Sequence, residues 1–508
     1  MMSFRCLLFL VCFLGTGTAF AQRIVYSEPD RGDSRRMNFE VIGKISGNFL
    51  VYKNVSNKNY ISLYDNDMNQ VERVEQTYIP GDRLINIDFF AYPDFVYLVY
   101  QYQKRNVVYC EAMKVNGAGK RMSEVITLDT THIGFAANNK IYSSVASEDK
   151  SKILVFKINS RNRSNYVVTT LLFDEALALK KRSVLNMPMD DSRDDHLNNF
   201  FVDNEGDAVF TKFSRTANDA VSKAQMVWKP AQADSFTTVD VPLDKIYLDE
   251  LHIKVDNANK RYFLTSFYYK QRRGNIDGFY FYTWDKQTRS QAMQNTIALS
   301  EELRNEARGD AGMKSAFNDY FIRNIIVKRD GGFIIGSEAY YTTSRYNNWN
   351  RWNYMYGMPY YNTFDYYSFY PSYGSWWYRN QYYNNQAVRH HADNITILSF
   401  DNTGKLQWSD VIHKQQFDDE AGDQISYQIV NTGGQIHFIF NLEDKRTLLL
   451  NDYVLSPDGQ INRNPTLKNL DKGYEFLTKY GKQVSSKQII IPCYYRNYIC
   501  FAKIDFNQ

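Results

Sequence analysis

Cysteine is scarce in this chain of 508 residues. There are five, and Cys6 and Cys12 fall within the first twenty-one positions, which leaves Cys110, Cys493 and Cys500. No CxxC pair and no Cys/His spacing of the structural-zinc type occurs, so a zinc-stapled fold is not indicated. Long apolar runs are absent beyond residue 21. None reaches the ~18 residues of a membrane helix, and the remaining chain is expected to be soluble with no membrane span. Charge of one sign is lacking too. The net charge is +4 with no long Lys/Arg run, which argues against a nucleic-acid partner. There is no G-x-S-x-G elbow and no H-E-x-x-H pair, so neither a serine-hydrolase nor a zincin site is marked. Ala and Leu do not dominate, whereas Tyr, Asn, Val and Ile abound. That balance favours strands over helices.

The first twenty-one residues read as a secretory signal peptide. MMSFR is a short cationic start, CLLFLVCFL an apolar core, and Ala19-Phe20-Ala21 a small-x-small cleavage site before Gln22. A lipoprotein needs a small residue before its acylated cysteine. Val11 precedes Cys12 and Arg5 precedes Cys6, so that alternative is poorly supported. Export to the periplasm or the cell exterior is the expectation.

One pattern recurs eight times: a polar turn, then a dense apolar run. The copies are GNFLVYK, DFVYLVYQY, SKILVFKI, GDAVFTKF, KRYFLTSFYY, GGFIIGSEAY, GQIHFIFNL and KQIIIPCYY. Each is followed by a second strand-like run, and several of these end in turns such as VNGAGK, DNTGK and SPDGQ. Copies are usually about fifty residues apart, the length of a four-stranded propeller blade. Two intervals are longer. One holds SEELRNEARGDAG (300–312), which reads as an inserted helix. The other holds an aromatic stretch. After NYICFAKIDF the chain stops, which leaves the last blade with three strands, and RIVYSE (23–28) has no other obvious home. Pairing these ends would hide an open sheet edge. The expected fold is therefore all-β: a single propeller over 22–508, with eight blades or, if the third or fourth copy is misparsed, seven.

The aromatic stretch occupies 340–388 of the sixth blade. Within 340–385, about twenty residues are Tyr, Trp or Phe; there is no Lys, and the one acid is Asp365. It joins the second strand to the third, on the rim that also carries the links between blades, commonly the ligand side. At FDNTGKLQW (400–408) the sequence resembles repeats of quinoprotein-type propellers, in which such a turn leads to a docking tryptophan. Over most of its length, GGFIIGSEAYY followed by NITILSFDNTGKLQW resembles a class of exported, largely uncharacterised Bacteroidota propeller-like proteins that often carry a variable insert here. The resemblance implies an envelope or secreted protein and implies no chemistry.

Chemical sites are weakly marked. His390-His391-x-Asp393 could suggest a metal, but neighbouring strand residues point to opposite faces. Asp190, Asp191, Asp194, Asp195 and His196 lack the alternate spacing and turn glycine of a calcium loop, and a solvated connection is the simpler expectation. Asp203–Asp207 and Asp401–Gly404 read as hairpin turns. A glycosidase needs two carboxylates facing one sugar, and no pair is singled out. Cys493 and Cys500 flank YYRNYI. A two-residue turn at Arg496-Asn497 would oppose them at a Cβ spacing of ~4.5–5.5 Å, slightly wide for an unstrained disulfide. Either a disulfide or two buried free thiols fits. No cofactor and no metal are expected.

The expected function is a non-enzymatic protein–protein interaction module of the bacterial envelope, with an unidentified envelope or secreted protein as partner. The anchors named by composition are Trp349, Arg351, Trp352, Trp376, Trp377 and Arg379, since Trp, Tyr and Arg dominate binding hot spots. A carbohydrate-binding or glycoside-cleaving propeller is the alternative.

Overall fold

The computed structural model describes residues 23–506 except 36, 135, 138–139, 163, 191–194, 216–219, 273, 309–316, 345–350, 352–387, 420–421, 445–446 and 466–472. Eight antiparallel units of four strands follow one another along the chain. The first is Asn38–Ile45, Asn48–Val55, Lys58–Tyr64 and Gln70–Glu75. The sixth is Tyr320–Val327, Phe333–Ser344, Val388–Phe400 and Leu406–Ile412, in the strand order expected from its repeat. The fold is an eight-bladed propeller. The fourth and fifth blades are bridged by a two-residue strand, Tyr247–Leu248, which pairs with both.

The core lies between blades. Eight apolar clusters each take side chains from two neighbouring sheets, and together they go once around the ring. The second strand of the first blade shows why its sequence is a continuous apolar run. Phe49 and Val51 pack towards the eighth blade, while Leu50 and Tyr52 pack towards the second. Successive strand residues face opposite sides, and here both sides are interior. At ~1.5–3 kcal/mol per fully buried large apolar side chain, a blade is stabilised mostly by its neighbours.

Closure joins the two ends of the chain. Arg23–Tyr26 pairs with Tyr498–Asp505, from Arg23 opposite Asp505 to Tyr26 opposite Ala502. The eighth blade is thus completed by the N-terminal strand. Its remaining edge is interrupted: Tyr474–Phe476 and Lys482–Ser485 both pair with Gln488–Tyr495, separated by a short 3-10 turn at Thr478–Tyr480.

Interlocking turns set the spacing between blades. In the DNTGK turn, Asp401 Oδ1 accepts the amides of Thr403 and Lys405. Gly404 has φ +78°, and a Cβ there would come within 2.0 Å of the Phe281 ring of the fifth blade. Trp408, which closes the FDNTGKLQW stretch, packs on Gly459 in the SPDG turn of the seventh blade. Between the fifth and sixth blades the expected helix spans Glu301–Arg308, with Leu303 and Ala307 buried. Among the described residues, no helix is long and apolar enough to cross a membrane.

Candidate functional site

The middle strands of the sixth blade are longer than the strands beside them. Beyond a bulge between Glu338 and Tyr340 they continue as a paired stalk, from Tyr340 opposite Ala392 to Ser344 opposite Val388. The bulge adds local twist and re-aims the hairpin. A short third strand, Phe417–Asp418, pairs with His390 and His391 on the stalk's flank. The aromatic insert is therefore carried on a small sheet that projects from the rim.

His390 and His391 face opposite sides of this stalk. His390 Nδ1 meets the Tyr340 hydroxyl at 2.7 Å. The His391 ring stacks on Tyr341 with centroids 4.5 Å apart, and its Nε2 meets Thr343 Oγ1 at 3.1 Å. Asp393 is fully buried and accepts the Tyr341 hydroxyl at 3.1 Å. Burial raises the Asp393 carboxyl above its ordinary range and lowers both imidazoles below theirs. These three residues do not converge on a point where a metal could sit.

Below the stalk a buried ionic knot fixes its root. Lys414 Nζ lies 2.9 Å from Glu338 Oε1, with both side chains at 0% exposure. Arg323 Nε approaches Glu338 Oε2 at 3.3 Å. Lys414 also donates to the Ala392 carbonyl at 2.7 Å and to Gln416 Oε1 at 2.6 Å. Burial pushes the Lys414 ammonium downwards, and Glu338 opposes it. A buried pair of this kind adds little net stability, but losing one partner is expensive, so the stalk leaves the blade at a defined angle.

The outer face of the stalk is exposed. Phe417 is 50% accessible. Arg389 lies over its ring at 4.5 Å and makes a two-pronged contact with Asp419 at 2.6 and 2.8 Å. Thr343 adds an exposed hydroxyl. An aromatic ring flanked by a paired guanidinium and a hydroxyl can stack and hydrogen-bond with the same ligand surface.

Of the anchors expected from composition, Trp349, Trp352, Trp376, Trp377 and Arg379 lie outside the described residues. Arg351 is described, and it points inwards. Its guanidinium grips Asp249, with Nε 3.1 Å from Oδ1 and Nη2 2.6 Å from Oδ2. It also donates to the carbonyls of Asn318 (2.9 Å) and Tyr320 and lies over Phe321 at 3.9 Å. Burial works against its charge, but Asp249 outweighs that and holds the guanidinium above its ordinary range. Arg351 is thus a clasp between the insert and the link into the fifth blade, with its charge spent inside the chain. Asp249 and Phe417 carried no motif. Asp249 becomes recognisable only through a partner 102 positions away.

The other sequence candidates resolve into structural roles. Asp203, Glu205 and Asp207 form a carboxylate cluster, and Lys286 Nζ sits within it, 2.5 Å from Asp203 and 2.9 Å from Asp207, with a further contact to Glu205. Lysine already occupies the place of a cation. Hydrogen bonds from Lys260 and Lys286 lower the Glu205 carboxyl to about 2. Asp191 and Asp194 lie outside the described residues. Asp190 pairs with Lys223 at 2.7 Å, and buried Asp195 accepts the Ser214 hydroxyl at 2.5 Å. Cys493 and Cys500 stand directly opposite each other, both buried and both as free thiols.

His196 gives a pH prediction. Burial, assisted by Arg215, lowers its imidazole from the ordinary 6.5 to about 4. The unfolded chain takes up the proton first, so stability present above pH 6.5 is lost as pH falls towards 4. Denaturant titrations should show that His196→Gln removes about 2–3 kcal/mol of that loss. An unchanged pH profile would contradict the assignment.

No family model matches the chain, and no curated relative matches it. Solved structures do. The chain is similar to the polysaccharide lyase Uly1, at 8% identity over 82% of this chain and 89% of that one, with a TM-score of 0.35. It is similar to the propeller domain of the Trilobed protease from Pyrococcus furiosus, at 10% identity over 87% and 96%, with a TM-score of 0.35. It is also similar to a variant of the Synechocystis apocarotenoid oxygenase, at 10% identity over 96% and 94%, with a TM-score of 0.32. At such TM-scores the likeness carries no statement about activity.

Proposed function

We propose that this propeller is an exported, non-enzymatic interaction module of the bacterial envelope, which holds a protein partner on the rim around the sixth blade. The observation that supports this reading is the stalk: a rigid, ion-locked projection whose exposed face carries Phe417, Arg389 and Thr343 and whose tip leads into the aromatic insert. A propeller needs no such projection to close its ring. Trp349, Trp352, Trp376, Trp377 and Arg379 supply the residue types that dominate protein interfaces, and Arg351 positions the start of the segment that bears them.

The test replaces residues 353–386 by a short Gly/Ser linker and changes Trp349 and Trp352 to Ala, which spares Arg351 and the stalk. The melting temperature should move by less than about 2 °C, while a protein captured from envelope extract by the full chain is lost. Capture that survives the replacement contradicts the proposal. Binding on a glycan array that disappears with the insert would assign a sugar ligand instead.

A further inference from the structure

The last hairpin places two thiols in register inside the seam of the ring. Cys493 and Cys500 are directly opposed and each is 0% exposed. Opposed antiparallel residues have Cα atoms ~4.5–5.5 Å apart, within the ~4.4–6.8 Å that a disulfide spans. The N-terminal strand covers them: Ile24 and Tyr26 pack on the cluster that contains both sulfurs, together with Tyr474 and Phe476. The remaining described thiol, Cys110, sits in the separate core between the second and third blades.

The geometry points to a disulfide between Cys493 and Cys500 that forms while the last hairpin is still open and is then sealed by closure of the ring. The order follows from chain distance. The hairpin needs only a two-residue turn at Arg496-Asn497 and assembles in ~1–10 μs. The covering strand arrives from the far end of the sequence, since Ser27 and Phe501, which it brings together, are 474 positions apart. Until that strand and the seventh-blade side chains Val430, Ile439 and Leu450 pack on the cluster, the thiols of the hairpin face each other open to solvent. A small disulfide, or the disulfide of a thiol oxidoreductase, supplies the oxidation. One cysteine thiolate attacks it, forming a mixed disulfide and expelling one thiolate. The second cysteine, as thiolate, displaces the other. Two cysteine thiols give up two protons and two electrons, and the oxidant is reduced to two thiols. Once Tyr26 is in place, neither oxidant nor reductant reaches the sulfurs. Burial also raises the Cys493 thiol well above its ordinary range, which keeps the nucleophilic thiolate scarce in the closed ring.

Peptide mapping tests both halves of the proposal. Trypsin cuts after Lys487, Arg496 and Lys503, so the two cysteines fall in separate peptides, 488–496 and 497–503. The full chain, reduced and unfolded in guanidinium, is refolded in mixed oxidised and reduced glutathione, then alkylated and digested without reductant. The two peptides should be recovered joined, two hydrogens lighter than their sum, in most molecules. Recovery of both as separate alkylated peptides overturns the proposal. For the seal, the chain folded fully reduced is exposed to oxidised glutathione. The bond should form at least ~10-fold more slowly than in a chain lacking residues 23–26 or, should that variant not fold, in Tyr26→Ala, because reaction tracks the open population. Equal rates in intact and variant chains overturn the sealing step.

Discussion

Asp33→Ala is expected to cost about 3–5 kcal/mol of stability, the range for stranding one member of a buried ion pair. Asp33 lies in the segment that leads from the N-terminal strand back to the first blade. Its Oδ2 is 2.5 Å from Lys53 Nζ, and the two side chains are 1% and 0% exposed. Its backbone carbonyl accepts the amide of Ile499 in the last hairpin at 2.8 Å. One residue thus holds the first blade, the N-terminal segment and the eighth blade together. Without the carboxylate, the Lys53 ammonium still donates to the Tyr64 hydroxyl at 2.9 Å, a neutral partner that does not balance its charge. Burial already pushes its ammonium downwards against the pull of Asp33. In the variant the more distant Asp30 alone opposes that push, so the deficit should shrink as pH rises towards the ordinary lysine range. Chemical denaturation at pH 7 and 9.5 measures both effects. The double change Asp33→Leu with Lys53→Met should recover much of the loss, since it removes the stranded charge. A single-variant cost below about 0.5 kcal/mol, typical of a surface change, would mean that this pair does not hold the seam.

The second large effect is expected from Asp249→Ala. Asp249 is 3% exposed, receives the Arg351 guanidinium from two sides and accepts the Tyr269 hydroxyl at 2.6 Å. Its removal leaves Arg351 buried against carbonyls and the Phe321 ring. The chain has a cheaper response than global unfolding, because Arg351 can turn out to water and release the start of the insert. Most of the effect should therefore be local. Each 1.4 kcal/mol lost from the clasp raises the released population tenfold, so a loss of ~3 kcal/mol gives roughly a hundredfold. Trypsin reports this directly, since its target is the peptide bond after Arg351. Cleavage there should accelerate by at least ~10-fold, with a much smaller change in the melting temperature. Unchanged cleavage would remove the clasp from the account.

Much of the ring was legible because its physics is local and repeated. Strands that bury both faces must be apolar at nearly every position, and the unbroken runs FLVY at 49–52, FVYLVY at 95–100 and IIIPCYY at 489–495 are. Closure was legible because RIVY had no partner in its own neighbourhood, while YICFAKID, paired with QIIIPCYY along one edge, had its other edge open. The opposite orientation of His390 and His391 followed from the period of a strand. Other features depend on contacts that sequence distance conceals. Ser143–Ala146 is a four-residue, half-buried strand with little pattern, and the edge of the eighth blade is split by its 3-10 turn. Lys286 neutralises a carboxylate cluster some eighty positions earlier. Arg351 has the composition of a hot-spot residue, and only its distance to Asp249 shows that its charge is used internally. The stalk escaped notice because the bulge beside Glu338 and the short strand Phe417–Asp418 have no periodic signature.

The most direct test of the proposed interaction surface is photocrosslinking in intact cells. A photoreactive phenylalanine analogue is placed at Phe417 on the stalk and, separately, at Val71, which is 61% exposed on the outer strand of the first blade. Irradiation should join an envelope protein to position 417 and not to position 71, and the adduct should vanish when residues 353–386 are replaced by the linker and Trp349 and Trp352 by Ala. An adduct at position 71 alone, or one at 417 that persists without the insert, would contradict the proposal that the stalk and its insert hold the partner.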